Sequence, residues 1–412
     1  MASFSVEISN TELKENTLTF NIAGSAEYGL DKSIVNSLRR VLLSEIPCIA
    51  FRVEEGTNKD LIMETNNTSL HNEFLLHRMS MIPIYIDPET YENQYLFYLN
   101  VKHEGAQPFK FVTTDDIQIF PLKEGVQLDD TIDLDKYDMK KPLSREKHKE
   151  IFRPFVFKNK EYPILITELK STDTEGVAQE LVCYGVPSVS DAREHARWKC
   201  CSDAIYTFLP NEELFMKIAN DKAGIQKIID DDERTKFINN LRVSEGERYF
   251  YRDIFNEPNQ YTFTITSVHH MSNKELFLKA LDVMDDKLDL LKNHFINLTT
   301  GGDTTIIVEP HVNENSYHFK IAGQNDTIGN VLQTHIVNKF SDKDSLVSFC
   351  AYKKSHPLEE YISLFIGLNP QSEIYGKSEE LKMNAIVKFM DEVIEDIKSI
   401  YTTIGKEAKK TL

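Results

Sequence analysis

Cysteine is scarce in this 412-residue chain and poorly spaced for chemistry. The five, at positions 48, 183, 200, 201 and 350, form no CxxC pair, so neither a structural zinc site nor a disulfide framework is signalled. Residues 49 to 182 hold none at all. Positive charge is also short: 47 Lys and Arg face 65 Asp and Glu, a formal net charge of −18. Phosphate contact is driven by counterion release, so a free-standing nucleic-acid binder would carry a basic excess. Any contact with DNA or RNA must therefore be local or indirect, and protein partners are the better default. No window reaches the 18 or more apolar residues of a membrane span. The opening MASFSVEISNTELKEN has no basic n-region or apolar h-region, so an intracellular, reduced protein is expected. The glycosylation-type triplets at Asn67, Asn297 and Asn325 are then coincidental.

The composition that is present, 41% apolar and 27% charged, is that of a folded protein, and the length calls for two or three units. DKSIVNSLRRVLLSEIPCIA, residues 31 to 50, reads as one short helix and its exit. Asp31 or Ser33 can cap it, Ile34, Leu38, Val41 and Leu42 form an apolar stripe, and Pro47 ends it. Arg39 and Arg40 sit on what is otherwise a packing helix. Before it, alternation over Phe4 to Ile8 and Leu18 to Ala23 predicts a hairpin across a polar KEN turn, and Gly24 to Gly29 link the hairpin to the helix. Beyond it, Cys48 to Glu54 reads as a strand.

In residues 69 to 86, Leu70, Phe74, Leu75 and Met79 predict a helical stripe that stops at Pro83; His71 and His77 read as surface or capping histidines. Strands are expected at Tyr91 to His103, Phe109 to Thr113, Ile117 to Phe120, Ile151 to Phe157, Tyr162 to Leu169 and Gln179 to Gly185. Residues 122 to 150 read as an acidic excursion or extra edge hairpin. Asp129, Asp130, Asp133 and Asp135 there lack the spacing of a calcium loop. Residues 191 to 209 hold the only tryptophan. His195 near Cys200 or Cys201 lacks the third group that a thiolate mechanism needs, so Arg193, His195, Arg197 and Trp198 read as an aromatic and basic contact surface. Asn211 to Leu241 predicts two charged helices broken near Gly224. A strand over Tyr261 to Val268 precedes a long helix whose Phe277, Leu281, Met284, Leu288, Leu291 and Phe295 make a heptad-like seam.

After Gly301–Gly302 the pattern starts again. Strands at Thr304 to Val308 and Tyr317 to Ala322 flank an NEN turn (313 to 315), and FKIAG at 319 to 323 echoes FNIAG at 20 to 24. NDTIGNVLQTHIVNKF gives a helix with Asp326 as cap. Strands at Leu346 to Tyr352 and Tyr361 to Leu368 follow, joined by a turn at His356–Pro357. A final helix over 378 to 405 carries Met383, Val387, Met390, Ile394, Ile397, Tyr401 and Ile404, a seam matching the first. Two halves with complementary apolar helices imply a pseudo-two-fold pair in one polypeptide. The two-residue link is too short to let them separate far.

NSLRRVLLSEIPCIAF at 36 to 51, NEFLLHRMSMIPI at 72 to 84 and REHARWK at 193 to 199 resemble, in order, three blocks of the alpha-like assembly subunits of multisubunit DNA-directed RNA polymerases. These are the bacterial alpha amino-terminal domain, the archaeal D and L subunits, and the third and eleventh subunits of eukaryotic polymerase II. NDTIGNVLQTHI at 325 to 336 and AYKKSHPLEEYISLFI at 351 to 366 resemble the smaller partner, although the histidine of its aspartate–histidine–threonine segment is lost. The resemblance implies a natural fusion of the two partners, similar to that in some large DNA viruses. The expected fold is α+β: two alpha-like dimerisation units forming an intramolecular pseudo-two-fold pair, the first carrying a large inserted, mostly β domain. The expected boundaries are 1–47 plus 245–300 for the first unit, 48–210 for the inserted domain, 211–244 for a charged helical insertion or linker, and 303–412 for the second unit.

The resemblance further implies a non-catalytic platform on which two large catalytic subunits, and small ones, assemble; a free-standing interaction scaffold is the alternative. Asn36, Arg39 and Arg40 are expected to contact the second-largest subunit, arginine supplying a rigid five-donor fork. Arg78, His195, Arg197 and Trp198 would add a second patch. Leu38, Leu42, Leu281, Leu288, Asp326, Gly329, Asn330, Val387 and Ile394 are expected at the internal interface, with His356 and Pro357 shaping the second half's turn. Many larger partners carry a cysteine-rich metal loop, and its absence predicts no metal here; magnesium belongs to the catalytic large subunit. DNA and RNA contact is expected to be indirect, with no membrane and no homo-oligomer. If viral, the setting is host cytoplasm or nucleus and the packaged virion.

Overall fold

Alternation of apolar and polar residues sorts the principal strands into sheets that each bury one face. The computed structural model describes residues 5–14, 16–25, 30–53, 60–105, 107–126, 132–171, 178–228, 230–254, 256–268, 271–309, 315–340 and 345–412. Asp129, Asp130, most of the 24–29 link and positions 313 and 314 of the NEN turn lie outside these.

The chain opens with β1 (Val6–Lys14), β2 (Thr17–Gly24) and α1 (Lys32–Ser44). Next come β3 (Cys48–Ala50), β4 (Leu61–Asn66), α2 (Asn72–Ser80), β5 (Tyr95–His103), β6 (Phe109–Thr113) and β7 (Ile117–Pro121). A short α3 (Arg145–Ile151) precedes β8 (Phe155–Phe157), β9 (Lys160–Tyr162), β10 (Leu165–Lys170), β11 (Gln179–Gly185) and β12 (Ser188–Ser190). Then β13 (Cys201–Phe208), α4 (Glu212–Ile225), α5 (Asp231–Glu245), β14 (Gln260–Ser267) and α6 (Asn273–Thr300) complete the first half. The second half is β15 (Ile306–Glu309), β16 (Ser316–Ala322), α7 (Asp326–Phe340), β17 (Val347–Lys353), β18 (Tyr361–Leu368) and α8 (Glu379–Thr411).

Two compact units result. One comprises Met1–Leu43, Cys201–Ser267 and Asn273–Leu412; the other comprises Ser44–Cys200 and Val268–Ser272. Within the first, the sheet orders β1-β2-β14-β13 and β15-β16-β18-β17 are equivalent strand for strand. The sequence repeat is thus a repeat of topology: hairpin, helix, antiparallel pair, seam helix. Pairing of β14 with β2 sets Phe263 opposite Phe20, and pairing of β16 with β18 sets Phe319 opposite Leu364. Those positions are buried, while the opposite face of the first sheet is polar, with Thr17 bonded to Thr266 at 3.0 Å.

This corrects the expected boundaries. The strand equivalent to β17 is β13, inside the segment 48–210 assigned to the inserted domain, because Cys201–Phe208 pairs along β14. The insertion that forms the second compact unit ends at Cys200. The helices of 211–244 interrupt the first unit between β13 and β14, where the second half has only the 354–360 turn. Phe215, Ala219 and Leu241 bury α4 against α5.

The second unit is built on a sheet of order β4-β11-β5-β7 whose inner face packs Phe97, Leu99, Leu181 and Cys183 with Leu75 and Met79 of α2. Phe74, placed on the expected α2 stripe, faces outward and is 63% exposed. The end of the acidic excursion is helical, since Ser144 caps α3, and the strand expected from Ile151 begins at Phe155. Cys48–Ala50 is a three-residue strand paired with β12, shorter than the 48–54 expected. The first hairpin runs on to Lys14, past a bulge between Ser9 and Glu12.

Candidate assembly interface

The long apolar seams find each other. On α6, Phe277, Leu281, Met284, Leu288, Leu291 and Phe295 are buried; on α8, so are Val387, Met390, Ile394, Ile397, Tyr401 and Ile404. The two helices pack along one another. Each also reaches the other half's sheet: α8 contacts β1, and Phe295 of α6 meets Phe319 of β16 edge to face at 5.7 Å. Gly301, with φ of +78°, ends α6 in the left-handed conformation that glycine adopts without strain and turns the chain into the second half.

Reciprocal ion pairs rim the seam. Lys292 of α6 lies 2.9 Å from Asp391 and 2.6 Å from Glu395 of α8, and Lys398 of α8 lies 2.5 Å from Asp289 of α6. Asp391 and Glu395 raise the Lys292 pKa. Such partly exposed pairs are worth about 0–1 kcal/mol each, so they fix register more than they hold the halves together.

The opening helix joins the same interface. Asp31 caps α1 by accepting from the Ser33 N–H at 2.5 Å. Ile34, Leu38, Val41 and Leu42 are buried as expected. Ser37 Oγ donates to the Ile34 carbonyl at 2.6 Å and lies 2.6 Å from the Tyr401 hydroxyl of α8. A serine hydroxyl has one proton, already given to a carbonyl that can only accept, so Tyr401 donates. Arg40 Nε donates to Thr327 Oγ1 of α7 at 2.7 Å, whereas Arg39 Nε donates to Asn36 Oδ1 of its own helix at 2.9 Å. Lys287 of α6, pushed down to about 8 by burial and by the Arg40 charge, belongs to the same neighbourhood. Arg40, half-buried like Asn36 and Arg39, is the one of the two arginines whose Nε reaches across to the second half.

In the second half, Asn325 rather than Asp326 caps α7, its side chain accepting from the Thr327 N–H at 3.0 Å. Asp326 and Asn330 are half-buried and Gly329 is buried. A Cβ on Gly329 would stand 2.5 Å from the Tyr352 ring, so glycine here permits the close approach of α7 to β17. The exposed His356 shapes a turn by accepting from the Leu358 N–H at 3.2 Å.

The second unit treats its motif residues differently from expectation. Trp198 and Arg197 are buried: Arg197 Nη1 donates to the Phe51 carbonyl at 2.7 Å, and Trp198 Nε1 donates to the Ser188 carbonyl at 3.3 Å. His195 Nδ1 accepts from the Arg197 N–H at 3.2 Å. Arg52, 5.3 Å from the Trp198 ring, grips Glu194 and holds its carboxyl down at about 2. The REHARWK block therefore ties this unit together and offers no surface for Arg197 or Trp198 to contact a partner. Arg78 is exposed and donates to the Leu165 carbonyl at 3.2 Å. Burial pushes the Cys183 thiol up to about 12, and a hydrogen bond with Cys200 raises that of Cys48, conditions opposed to thiolate chemistry.

Two equivalent dimerisation units closed on each other within a single polypeptide define the class. A family model described as the RNA polymerase Rpb3/Rpb11 dimerisation domain matches residues 26–288, and a second of the same description matches 316–406. The chain belongs to the RNA polymerase Rpb3/Rpb11 dimerisation domain family and carries two such domains. It is 26% identical over 290 residues to the DNA-directed RNA polymerases I and III subunit rpac1 of Dictyostelium discoideum, covering 64% of this chain and 76% of that protein. It is 23% identical over 323 residues to the RPAC1 subunit of Saccharomyces cerevisiae, covering 70% and 87%. With the RNA polymerase II subunit RPB3 of Schizosaccharomyces pombe the figure is 23% over 273 residues, covering 63% and 78%.

Proposed function

We propose that this chain is the assembly platform of a DNA-directed RNA polymerase, in which one polypeptide supplies both members of the alpha-like pair and nucleates association of the two large catalytic subunits. The observation that carries the reading is the closed α6–α8 seam between two equivalent units, each with its own match to the dimerisation family. A platform must present a fixed geometry before its partners arrive, and a seam closed within the chain provides one without a binding step. Asn36 and Arg39 on α1, with Arg78 in the second unit, are the side chains we assign to large-subunit contact. Small polymerase subunits complete the partner set. The chain itself works without a metal, magnesium being held by the catalytic large subunit, and the setting is intracellular. The fused arrangement makes a virion-packaged polymerase of host cytoplasm or nucleus the context we favour.

A tagged chain recovered from its native source tests this. Stoichiometric recovery of two very large subunits is expected; recovery of the chain alone would refute it and favour a free-standing scaffold.

A further inference from the structure

The second compact unit carries a feature that the platform role leaves unused. Strands β8 and β9 form a two-stranded hairpin bonded to no other strand. Hairpins of two strands are marginal alone and ordinarily keep apolar residues covered. Here Phe155 is 66% exposed, Phe157 52% and Tyr162 47%. The register pairs Phe155 with Tyr162 and Phe157 with Lys160, so these four share one face, while Val156 and Glu161 take the other. The hairpin is firmly set. Ile151 and Phe152 at its base are buried, and its turn residues Lys158 and Asn159 hold φ of 48° and 60°, the left-handed pair of a type I′ turn.

Charge and ring geometry name the occupant. Glu161 is neutralised by Lys149, whereas Arg153, Lys158 and Lys160 have no acidic partner among the described residues. In a chain of net charge −18 the hairpin is thus a local positive site, and mobile ions screen the remainder beyond about 8 Å. The Phe155 and Phe157 rings lie 12° from parallel with centroids 6.5 Å apart. Two near-parallel exposed rings side by side make a stacking platform, and Lys158 Nζ lies 5.3 Å from the Phe157 ring centroid, a cation beside that platform. Aromatic faces interleaved with cations are what a single strand requires, stacking for its bases and lysines for its phosphates. Exposed rings alone would also suit a protein partner; the lysines beside them, unpaired among the described residues and of a type that protein interfaces deplete, point to phosphate instead.

We propose that the β8–β9 hairpin binds single-stranded nucleic acid, RNA or DNA, with bases stacked on Phe155 and Phe157 and phosphates met by Lys158 and Lys160. This contact is direct and independent of the platform role.

The test is fluorescence anisotropy of labelled oligo(U) and oligo(dT), each of roughly 15 nucleotides, titrated with the purified full chain. A Kd of about 100 µM or tighter at moderate salt is expected, undisplaced by duplex of equal length. Preference for oligo(U) would assign RNA and preference for oligo(dT) DNA. Phe155→Ala with Phe157→Ala should weaken binding about tenfold or more. Lys158→Gln with Lys160→Gln should flatten the dependence of log K on log salt from about −1.4 to near zero, as both phosphate contacts are lost. Phe111→Ala, an exposed phenylalanine on β6, should change nothing. Absence of binding, or binding untouched by the Phe155 and Phe157 pair, would overturn the proposal. So would loss of a co-purifying polymerase subunit in that variant with oligonucleotide binding intact, which would make the hairpin a protein dock.

Discussion

Cutting the chain at Gly301–Gly302 converts the intramolecular seam into a bimolecular one and makes its strength measurable. Co-expressed residues 1–302 and 303–412 should purify as a 1:1 complex. Ile394 on α8 is fully buried, and truncation of a buried isoleucine to alanine costs about 2–5 kcal/mol. At about 1.4 kcal/mol per decade, Ile394→Ala should raise the Kd of the split pair roughly 30-fold to several thousandfold. In the uncut chain the tether supplies an effective concentration on the order of millimolar, so the same substitution should leave the halves closed while lowering the unfolding midpoint. Titration calorimetry on the split pair and urea unfolding of the intact chain give the two numbers. Halves that purify separately as folded monomers, or a Kd changed less than about threefold, would refute the seam as the force that joins them. The rim offers an internal comparison. Lys292→Met breaks only its two partly exposed ion pairs and should cost no more than about 2 kcal/mol.

Other consequences are more local. Gly329→Ala would gain roughly 1 kcal/mol of helix propensity, but its Cβ meets the base of the Tyr352 ring, so a net loss of about 1–3 kcal/mol is expected in thermal unfolding, relieved by Tyr352→Ala. Lys287 has a folded pKa near 8, below the 10.5 of an unfolded lysine. The unfolded chain therefore binds more protons between those values, and stability should rise with pH from about 8 to 10.5, by about 3 kcal/mol. Lys287→Met should abolish that rise and add stability at pH 7; an unchanged pH profile of the urea midpoint would exclude it. Trp198, the single tryptophan, is fully buried, so its emission should report unfolding of the second compact unit. Arg197→Ala should shift that transition to lower urea without altering capture of polymerase subunits.

What could be read from the sequence was what local periodicity encodes. The α6 and α8 seams repeat every three or four residues regardless of neighbours, and the short helix α1 carries its own cap in Asp31 and stop in Pro47. What escaped depends on distant partners. Strand β13 looks like any short alternating run, and only its pairing with β14, some sixty residues on, places it in the first sheet. Arg197 and Trp198 carry the composition of a contact surface, yet their burial is decided by the Phe51 and Ser188 carbonyls. A buried guanidinium beside its acceptor and an exposed one beside water have the same local sequence.

Arg39 and Arg40 show how geometry could have narrowed the reading. Adjacent residues on an α-helix point about 100° apart, since a turn holds 3.6 residues, so the pair cannot serve one flat partner surface equally. One must turn toward the other half; the structure makes it Arg40, through Thr327, and leaves Arg39 held by Asn36 on its own helix. Separate substitutions should then separate two functions. Arg40→Ala in the split pair removes a charged donor to a hydroxyl across the interface and should raise the Kd about fivefold, close to 1 kcal/mol. It also removes the charge that helps depress Lys287, so the alkaline gain in stability should narrow. Arg39→Ala should change neither quantity and should instead reduce recovery of the second-largest subunit. If Arg39→Ala loosens the halves, or Arg40→Ala leaves both the Kd and the pH profile untouched, the division of labour between the two arginines is wrong.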